Sequence, residues 1–436
     1  MFDIREKPDM VERAFLIGAY FRRDDEAEAA SLLEELEELV RTLDIGIVES
    51  HLVFIRDQSK RYLTGSGKAE ELMQRAKELK CDAIVFDNEL SPSQQRNWES
   101  ESDVCVLDRE EVILDIFAMR ARTREAALQV QLARMRYSLP RLAKMWTHLD
   151  RQGGGSGGGK GGAAAARGEG EKQIEVDRRL ARKRISMVEK ELDTVRTQRA
   201  TQRKERTREG LPHAAIVGYT NAGKSSLLNR LADADILVED KLFATLDPTT
   251  RRIELPDGQA LLLTDTVGFV RNLPHRLVEA FKATLEESVL ADFLIHVLDA
   301  SAENAENFYQ TTLDVLRDLG AEGKPMVLAI NKIDLLQDDA DGLQRLHELR
   351  GIYPEACFVS VKTGEGIEEL ILRVNELNHD RVSRLELRIP QARQDLMALL
   401  HRDGKILEQG YEGNDILLTA IVPKAQLHHF NGFDAS

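Results

Sequence analysis

The segment GYTNAGKS, residues 218–225, constrains the fold of this 436-residue chain more than any other. It matches G-x-x-x-x-G-K-S completely, and it stands between the apolar run HAAIVGY and the helix-like run SLLNRLAD. A strand, a glycine-rich loop and a helix in this order surround a phosphate chain with backbone N–H groups and a helix N-terminus. We therefore expect Lys224 beside the β- and γ-phosphates and Ser225 as a ligand to Mg²⁺. A chance structural turn is the competing explanation.

Apolar runs alternate with helix-length segments over residues 211–379. HAAIVGY, ALLLTD, FLIHVLDA, MVLAIN and ACFVSV are five strand candidates. This alternation predicts a parallel sheet covered by helices on both faces.

Four further motifs follow the phosphate loop in an order that favours a guanine nucleotide. In DTVG (265–268), Asp265 can hold the water shell of Mg²⁺ and the Gly268 N–H can sense the γ-phosphate. In NKID (331–334), a carboxylate at Asp334 can accept from N1–H and the 2-amino group of guanine, a pair that adenine lacks. SVK (360–362) can offer a backbone amide to the guanine carbonyl, while FATLDPTTR (243–251) supplies Thr245 as a ligand to Mg²⁺ and the γ-phosphate.

The combined pattern predicts a GTP site with Mg²⁺. We expect Lys224, Thr245, Asp265 and Gly268 to act in catalysis, and Ser225 and Thr245 to ligate the metal. The predicted nucleotide-contacting residues are Gly218, Tyr219, Thr220, Asn221, Ala222, Gly223, Lys224, Ser225, Ser226, Phe243, Ala244, Thr245, Leu246, Asp247, Asp265, Thr266, Val267, Gly268, Asn331, Lys332, Ile333, Asp334, Ser360, Val361 and Lys362.

A basic middle segment lies within a chain whose net charge is −15. Residues 120–151 carry eight basic and two acidic side chains, and residues 178–208 carry twelve and four. Apolar residues step by alternating fours and threes from Leu128 to Leu149 and from Ala181 to Val195. This pattern predicts an antiparallel helical hairpin, interrupted in its first arm by Pro140.

The hairpin would display the glycine-rich loop at residues 153–171 far from the body of the protein. Contact with RNA and mere flexibility both remain open for this loop, although basic arms favour RNA because they release counterions from a polyanion.

The two ends of the chain predict further domains. Residues 1–118 alternate strand patterns (AFLIGAY, DAIVFD, VCVLD) with helical patterns and indicate an α/β domain. GSGK at 65–68 lacks the earlier glycine of a phosphate loop, so it is interpreted as a helix entry. Residues 380–436, with RLELRI, a helix near 391–403 and ILLTAIV, predict a small α+β domain.

The composition of the chain indicates the cellular compartment and excludes some classes of partner. Three separated cysteines without a C-x-x-C pair fit a reducing cytosol. The charged N-terminus is unlike a signal peptide, and no apolar run approaches the length of a membrane span. We expect a cytoplasmic monomer that does not bind DNA and is not an integral membrane protein.

Long stretches of the chain resemble the HflX family, ribosome-associated GTPases of the Obg–HflX group. The similarity lies in FDNELSPSQQRN, WTHLDRQ, GEKQIEVDRRL, GYTNAGKSSLLNRL, FATLDPTTRRIELP and DTVGFVRNLPHRLVEAFKATLEE. It implies a multidomain α/β protein: an N-terminal α/β domain (1–118), a helical hairpin with a glycine-rich loop (119–210), a Ras-like P-loop GTPase domain (211–379) and a small C-terminal α+β domain (380–436).

The resemblance also implies a function. Members of this family bind the large ribosomal subunit, direct the hairpin toward the peptidyl-transferase region and split stalled or idle ribosomes. There are two alternatives. The protein is a switch that recruits a protein effector, or it is an accessory factor in RNA modification or remodelling. The loop departs from the family pattern because it is longer and has Glu169 where proline is expected.

Phe269 and Asn221 raise two mechanistic hypotheses. A glutamine that orients water commonly follows the DTVG glycine, but Phe269 cannot hydrogen-bond through its side chain. We hypothesise that it packs away from the γ-phosphate and that the ribosome orders the neighbouring segments; a plain core residue is the alternative. In related GTPases without the glutamine, an asparagine at the position of Asn221 helps to hold K⁺, whereas the alternative is a simple turn residue.

Overall fold

The computed structural model describes residues 11–141, 176, 178–198, 211–232, 242–272, 285–379 and 382–435. The chain divides into two compact units, Met1–Thr194 with Leu273–Ala280, and Val195–Asn272 with Phe281–Ser436. The predicted multidomain α/β class is confirmed. The bounds of the four predicted domains stay a prediction.

The first unit contains a parallel four-stranded sheet of order β2-β1-β3-β4. Its strands are β1 (Arg13–Tyr20), β2 (Gly46–Phe54), β3 (Ala83–Phe86) and β4 (Cys105–Asp108). Its helices are α1 (Glu26–Thr42), α2 (Ser66–Glu78), α3 (Pro92–Ser102), α4 (Arg109–Arg120) and α5 (Arg124–Ser138). The sequence missed β2, whose GIVESHLVF has no continuous apolar run and is only half-buried.

Helix starts in this unit follow local side-chain chemistry. Gly65 precedes α2, which confirms that GSGK enters a helix. Ser91 and Gln94 form a capping box on α3 with Pro92 in the first turn. Thr123 accepts from the Ala126 N–H at the start of α5.

Helix α5 ends at Ser138, two residues before Pro140, because proline has no N–H to continue the backbone hydrogen bonds of the helix. Leu139 still has helical angles, with φ of −53° and ψ of −46°. In the helical segment 178–198, Val188 and Leu192 are buried, as the predicted seam requires. Glu191 accepts from Arg124 and Glu189 from Arg136, which joins this segment to α5. The seam residues Leu142, Trp146 and Leu149 and the loop 153–171 lie outside the described residues, so the hairpin itself stays a prediction.

The second unit contains a six-stranded sheet of order β10-β9-β8-β5-β7-β6. Its strands are β5 (His213–Gly218), β6 (Thr249–Glu254), β7 (Ala260–Asp265), β8 (Phe293–Asp299), β9 (Met326–Asn331) and β10 (Cys357–Phe358). Its helices are α6 (Lys224–Ala232), α7 (Ala305–Asp318), α8 (Ala340–Ile352) and α9 (Ile367–His379). The prediction of five parallel strands was wrong in one respect, because β6 is a sixth strand that pairs antiparallel with β7.

Strand β6 escaped the sequence pattern because it is a polar edge strand. Within TTRRIE, Ile253 is the buried residue. The strand forms a hairpin with β7, in which Gly258 has φ of +79° and donates its N–H to the Leu255 carbonyl. The turn therefore fixes the pairing where side-chain burial contributes little.

A second sheet in this unit is antiparallel and three-stranded, of order β11-β13-β12. Its elements are β11 (Val382–Pro390), α10 (Gln394–Asp403), β12 (Lys405–Glu412) and β13 (Asp415–Pro423). Leu387, Ile389, Leu418 and Phe430 form its core. The sequence anticipated all of these elements except β12, an edge strand whose described side chains are mostly exposed.

Candidate nucleotide site

The phosphate loop joins β5 to α6, and two of its glycines are required by close contacts. Gly218 has φ of +147°, and a Cβ there would lie 2.2 Å from the Val297 carbonyl oxygen. Gly223 has φ of +97°, and its Cβ would lie 2.3 Å from Asn331 Nδ2. Any larger residue would displace the strand or the asparagine, so the loop geometry depends on glycine at both positions.

Lys224 is buried at the start of α6, where its ammonium group lies against the loop. Its Nζ donates to the Tyr219 carbonyl at 2.7 Å, and burial lowers its pKa to about 8. A Cβ added to Gly268 would lie 2.9 Å from this Nζ. The lysine of the phosphate loop and the DTVG glycine thus lie close together, as expected for two groups that contact the same phosphate.

Three oxygen-bearing side chains converge next to the loop. Ser225 Oγ lies 2.8 Å from Thr245 Oγ1 and donates to Asp265 Oδ2 at 2.6 Å. Thr245 Oγ1 also donates to Asp265 Oδ2, at 2.9 Å. These residues come from α6, the segment before β6 and the end of β7.

The three side chains fit a magnesium ion. Octahedral Mg²⁺ with bonds of about 2.0–2.1 Å places neighbouring ligand oxygens roughly 2.9 Å apart, close to the separation of the two hydroxyls. Asp265 Oδ1 is buried without a hydrogen-bond partner among the described residues, and burial raises the pKa of this carboxyl group. A cation would satisfy this oxygen and compensate its charge.

The pocket beside these groups gathers much of the predicted phosphate site. It is lined by Thr220, Asn221, Gly223, Lys224, Ser225, Ser226, Phe243, Ala244, Thr245, Thr266 and Gly268, all of which the sequence predicted. Leu246, Val267 and Ala222 are instead buried beneath it.

The residues predicted to read the base meet at the ends of β9 and β10. Asn331 donates to the Ala222 carbonyl at 2.9 Å and accepts the Val361 N–H at 3.1 Å, so it joins the phosphate loop to the last loop of the site. Asp334 Oδ1 accepts from Ser360 Oγ at 2.7 Å. Ile333 belongs to the core beneath them. The structure thus brings NKID and SVK together.

Sequence reasoning missed one residue of this cluster. Asp299 at the end of β8 forms an ion pair of 2.7 Å with Lys332, whose backbone is left-handed with φ of +65°. The sequence did contain a signal for Asp299, because a carboxylate that ends a parallel strand lies at the edge of the sheet where ligands bind.

Phe269 occupies the core. Its side chain is 1% exposed and it does not line the pocket formed by the described residues. Its N–H donates to the Gly218 carbonyl, and its carbonyl accepts the Thr220 N–H at 2.8 Å. The phenylalanine therefore ties the DTVG segment to the phosphate loop through its backbone, while its ring packs in the core.

A P-loop GTPase is defined by a mostly parallel sheet, a glycine-rich phosphate loop, a cluster of oxygen ligands suited to magnesium and an adjoining NKID loop. Family models match the chain in three consecutive parts: "GTP-binding GTPase N-terminal" at 30–118, "GTP-binding GTPase Middle Region" at 120–206 and "50S ribosome-binding GTPase" at 213–332. The chain belongs to the HflX GTPase family, as its relatives show.

One relative, the GTPase HflX of Akkermansia muciniphila, is 57% identical over 99% of both chains. The GTPase HflX of Escherichia coli K12 is 41% identical over 89% of this chain and 88% of its own length. A GTP-binding protein from Sulfolobus solfataricus in complex with GDP is 23% identical, with a TM-score of 0.42 over 85% of this chain and 99% of that chain. No described helix combines the length and apolar character of a membrane span.

Proposed function

We propose that this GTPase binds the large ribosomal subunit, contacts its rRNA and splits stalled or idle ribosomes as it hydrolyses GTP to GDP and phosphate. The observation that carries this proposal is the 57% identity over nearly the whole chain with a protein named GTPase HflX. The family model described as a 50S ribosome-binding GTPase, matched at 213–332, supports the same partner. We infer a cytoplasmic monomer.

The site residues take the following roles in this proposal. The loop 218–226 wraps the phosphates, Lys224 neutralises the β- and γ-phosphate charge, and the Gly268 N–H contacts the γ-phosphate. Ser225 and Thr245 ligate Mg²⁺, which supplies charge stabilisation to the transferring phosphoryl group, and Asp265 orients its water shell. Asp334 reads the guanine edge, supported by Asn331, Ser360 and the amides of 360–362.

Water activation requires a group other than Phe269. We propose that docking on the ribosome orders residues 243–251 and 265–275 and thereby completes the site. The burial of Phe269 supports this, since a ring that does not line the pocket cannot orient a water molecule there. Turnover by the isolated protein would be slow, and equal turnover with and without ribosomes would overturn this part of the proposal.

We propose that the middle of the chain makes the contacts with RNA. Arg182, Lys183 and Arg184 are exposed on the helical segment 178–198, as phosphate-contacting side chains must be. We propose four domains with the predicted bounds, of which residues 119–210 form the hairpin that reaches into the ribosome.

Sucrose-gradient sedimentation with GTP, GDP and a non-hydrolysable analogue tests the function. Migration with the large subunit in the analogue, together with loss of whole ribosomes, is the expected result. Binding to a protein that is insensitive to salt, without affinity for ribosomes, would favour an effector switch. Preference for a small RNA over intact subunits would favour an RNA-remodelling accessory.

Guanine recognition is tested by Asp334→Asn. The amide oxygen can still accept from N1–H, but the new NH₂ group faces the 2-amino donor of guanine, so one hydrogen bond to a charged group is lost. Such a bond contributes about 1.5–3 kcal/mol, so GTP affinity should fall by at least tenfold. Xanthosine triphosphate, whose C2 carbonyl can accept from the new amide, should then bind better than it binds the original protein. Calorimetry measures both ligands, and Asp338→Asn in the following loop is the control. Unchanged GTP affinity would remove Asp334 from the site.

We also propose that Asn221 helps to hold a potassium ion beside the phosphates. Asn221 lines the pocket with φ of +59°, a conformation that asparagine tolerates in any turn, so the backbone alone fits both hypotheses. A cation held there would supply positive charge to the transition state. GTP turnover should be several-fold faster in KCl than in NaCl of the same concentration, and equal rates would exclude the potassium site.

A further inference from the structure

We propose that Tyr219 and Thr220 are positioning residues for GTP hydrolysis, each of which tethers one of the two segments that close over the phosphates. The Thr245 segment is residues 242–247, and the Asp265 segment is residues 265–272. The Thr220 hydroxyl accepts the N–H of Phe243 at 2.9 Å, and the Tyr219 hydroxyl accepts the N–H of Arg271 at 2.8 Å. Both are variable positions of the loop motif, so the motif itself does not require these side chains.

The ring of Tyr219 is held in one orientation. It stacks on Phe308 of α7 with ring centroids 3.8 Å apart and an angle of 8° between the planes. The guanidinium carbon of Arg271 lies 5.4 Å from the Phe308 centroid, on the same aromatic group. Because the ring cannot swing, its hydroxyl offers the Arg271 N–H an acceptor at a fixed place.

Thr220 holds a backbone conformation that rarely forms unaided. Phe243 has φ of +53° and is fully buried. A phenylalanine in the left-handed region needs surrounding contacts to keep it there. Thr245 follows two residues later, and its hydroxyl lies within hydrogen-bond distance of Ser225 and Asp265. The Thr220 hydroxyl therefore helps to set the position of the predicted metal ligand.

The two tethers begin at adjacent residues, and the loop backbone reinforces them. The Thr220 N–H donates to the Phe269 carbonyl at 2.8 Å, and a Cβ on Gly268 would lie 2.7 Å from the Thr220 Cα. The phosphate loop thus holds both segments through one dipeptide. GTP contacts both segments through its γ-phosphate, whereas GDP lacks that group, so loss of a tether should affect GTP far more than GDP.

This inference rests on the nucleotide site proposed above and is independent of ribosome splitting. Tyr219→Phe removes one hydroxyl and keeps the stacked ring, and Thr220→Val removes the other at nearly constant volume. Thr220→Ser keeps the hydroxyl and serves as the matched control. Hydrogen exchange, read by mass spectrometry with fragmentation to single residues, is measured in the isolated full-length chain.

We expect each of the two variants to speed hydrogen exchange at one of the two tethered amides and not at the other. Tyr219→Phe should speed exchange at the Arg271 amide at least fivefold and leave Phe243 unchanged, while Thr220→Val should do the reverse. Tyr219→Phe and Thr220→Val should each lower kcat for GTP about fivefold or more and change the GDP affinity less than twofold. Thr220→Ser, which keeps the hydroxyl, should retain the exchange rate of the original chain at the Phe243 amide. If one variant fails to fold, the other still tests its own tether.

Three outcomes separate the possibilities. Faster exchange at both amides in either variant, with GDP affinity reduced as much as GTP affinity, would indicate general loosening of the loop and overturn the inference. Unchanged exchange and unchanged kcat in both variants would overturn it as well. Failure of the original chain to bind GTP would overturn the nucleotide site instead.

Discussion

Lys224 shows how a single residue can be chosen for ligand binding at the expense of its own solvation. The ammonium group is buried, and its pKa falls to about 8 because burial disfavours the charged form. A folded-state pKa below the unfolded value means that this lysine destabilises the free protein below about pH 8. The destabilisation is relieved as the pH rises toward the ordinary lysine value, because the folded state then releases its proton first. The phosphates of GTP reverse this preference by favouring the charged lysine.

Binding of GTP should therefore take up a proton at alkaline pH. Near pH 9 the free protein carries a largely neutral Lys224, and the bound state carries a charged one, so uptake should approach one proton. Around pH 7 it should be close to zero, and above pH 8 the affinity should fall by up to tenfold per pH unit. Calorimetry in two buffers of different ionisation enthalpy measures the uptake. The control is Lys224→Arg, which stays charged, and equal uptake in both proteins would exclude Lys224 as its source.

The sequence predicted individual residues of the site better than it predicted larger features of the structure. The phosphate loop, DTVG and NKID are defined by residue types whose chemistry is local. Members of the phosphate loop and of DTVG line one pocket, and Asn331 of NKID contacts the phosphate loop through the Ala222 carbonyl. Asp299 was missed because its ion pair is with Lys332, which follows a different strand, β9. The side-chain tethers of Tyr219 and Thr220 were equally invisible, since a spacing pattern does not reveal which backbone amide a hydroxyl will meet.

At the scale of elements, apolar runs identified buried strands, and the incomplete GSGK motif identified the start of α2. Strands β2, β6 and β12 were missed, and all three are edge strands with polar or half-buried sequences. An edge strand is stabilised by its backbone ladder and its turn more than by side-chain burial, so its residues carry a weak pattern. Helix α5 ends before Pro140 as the sequence required.

The capping box on α3 provides a prediction at this scale. In Ser91→Ala, the Gln94 N–H loses its acceptor and the reciprocal pair with the Gln94 side chain is broken. Loss of such a cap costs about 1 kcal/mol, which corresponds to roughly fivefold faster hydrogen exchange in the first turn of α3. Ser100→Ala, near the other end of the same helix, should leave that turn unchanged. Equal exchange in the two variants would mean that packing alone fixes the helix start.

The whole molecule combines acidic and basic regions, and its proposed partner is a polyanion. Reversal of Arg182, Lys183 and Arg184 to glutamate should weaken large-subunit binding at least tenfold and leave GTP turnover by the isolated protein unchanged. The slope of log affinity against log salt should also become shallower, because fewer counterions are released. Sedimentation over a salt series measures both effects. Reversal of three exposed residues elsewhere in the same unit, Arg22, Arg56 and Lys60, is the matched control. Similar loss in both variants would indicate a diffuse charge effect and exclude a dedicated contact.

The sequence by itself determined the class of nucleotide site and the family, because glycines, a lysine and carboxylates at set spacings perform chemistry that few other arrangements allow. It also determined the buried strands, because their apolar side chains are stable only where they are removed from water. Only the tertiary structure decided which hydroxyl holds which amide, that Phe269 enters the core, and that β6 runs antiparallel beside β7. These features depend on contacts between residues far apart in the chain, and such contacts exist only after the elements have packed.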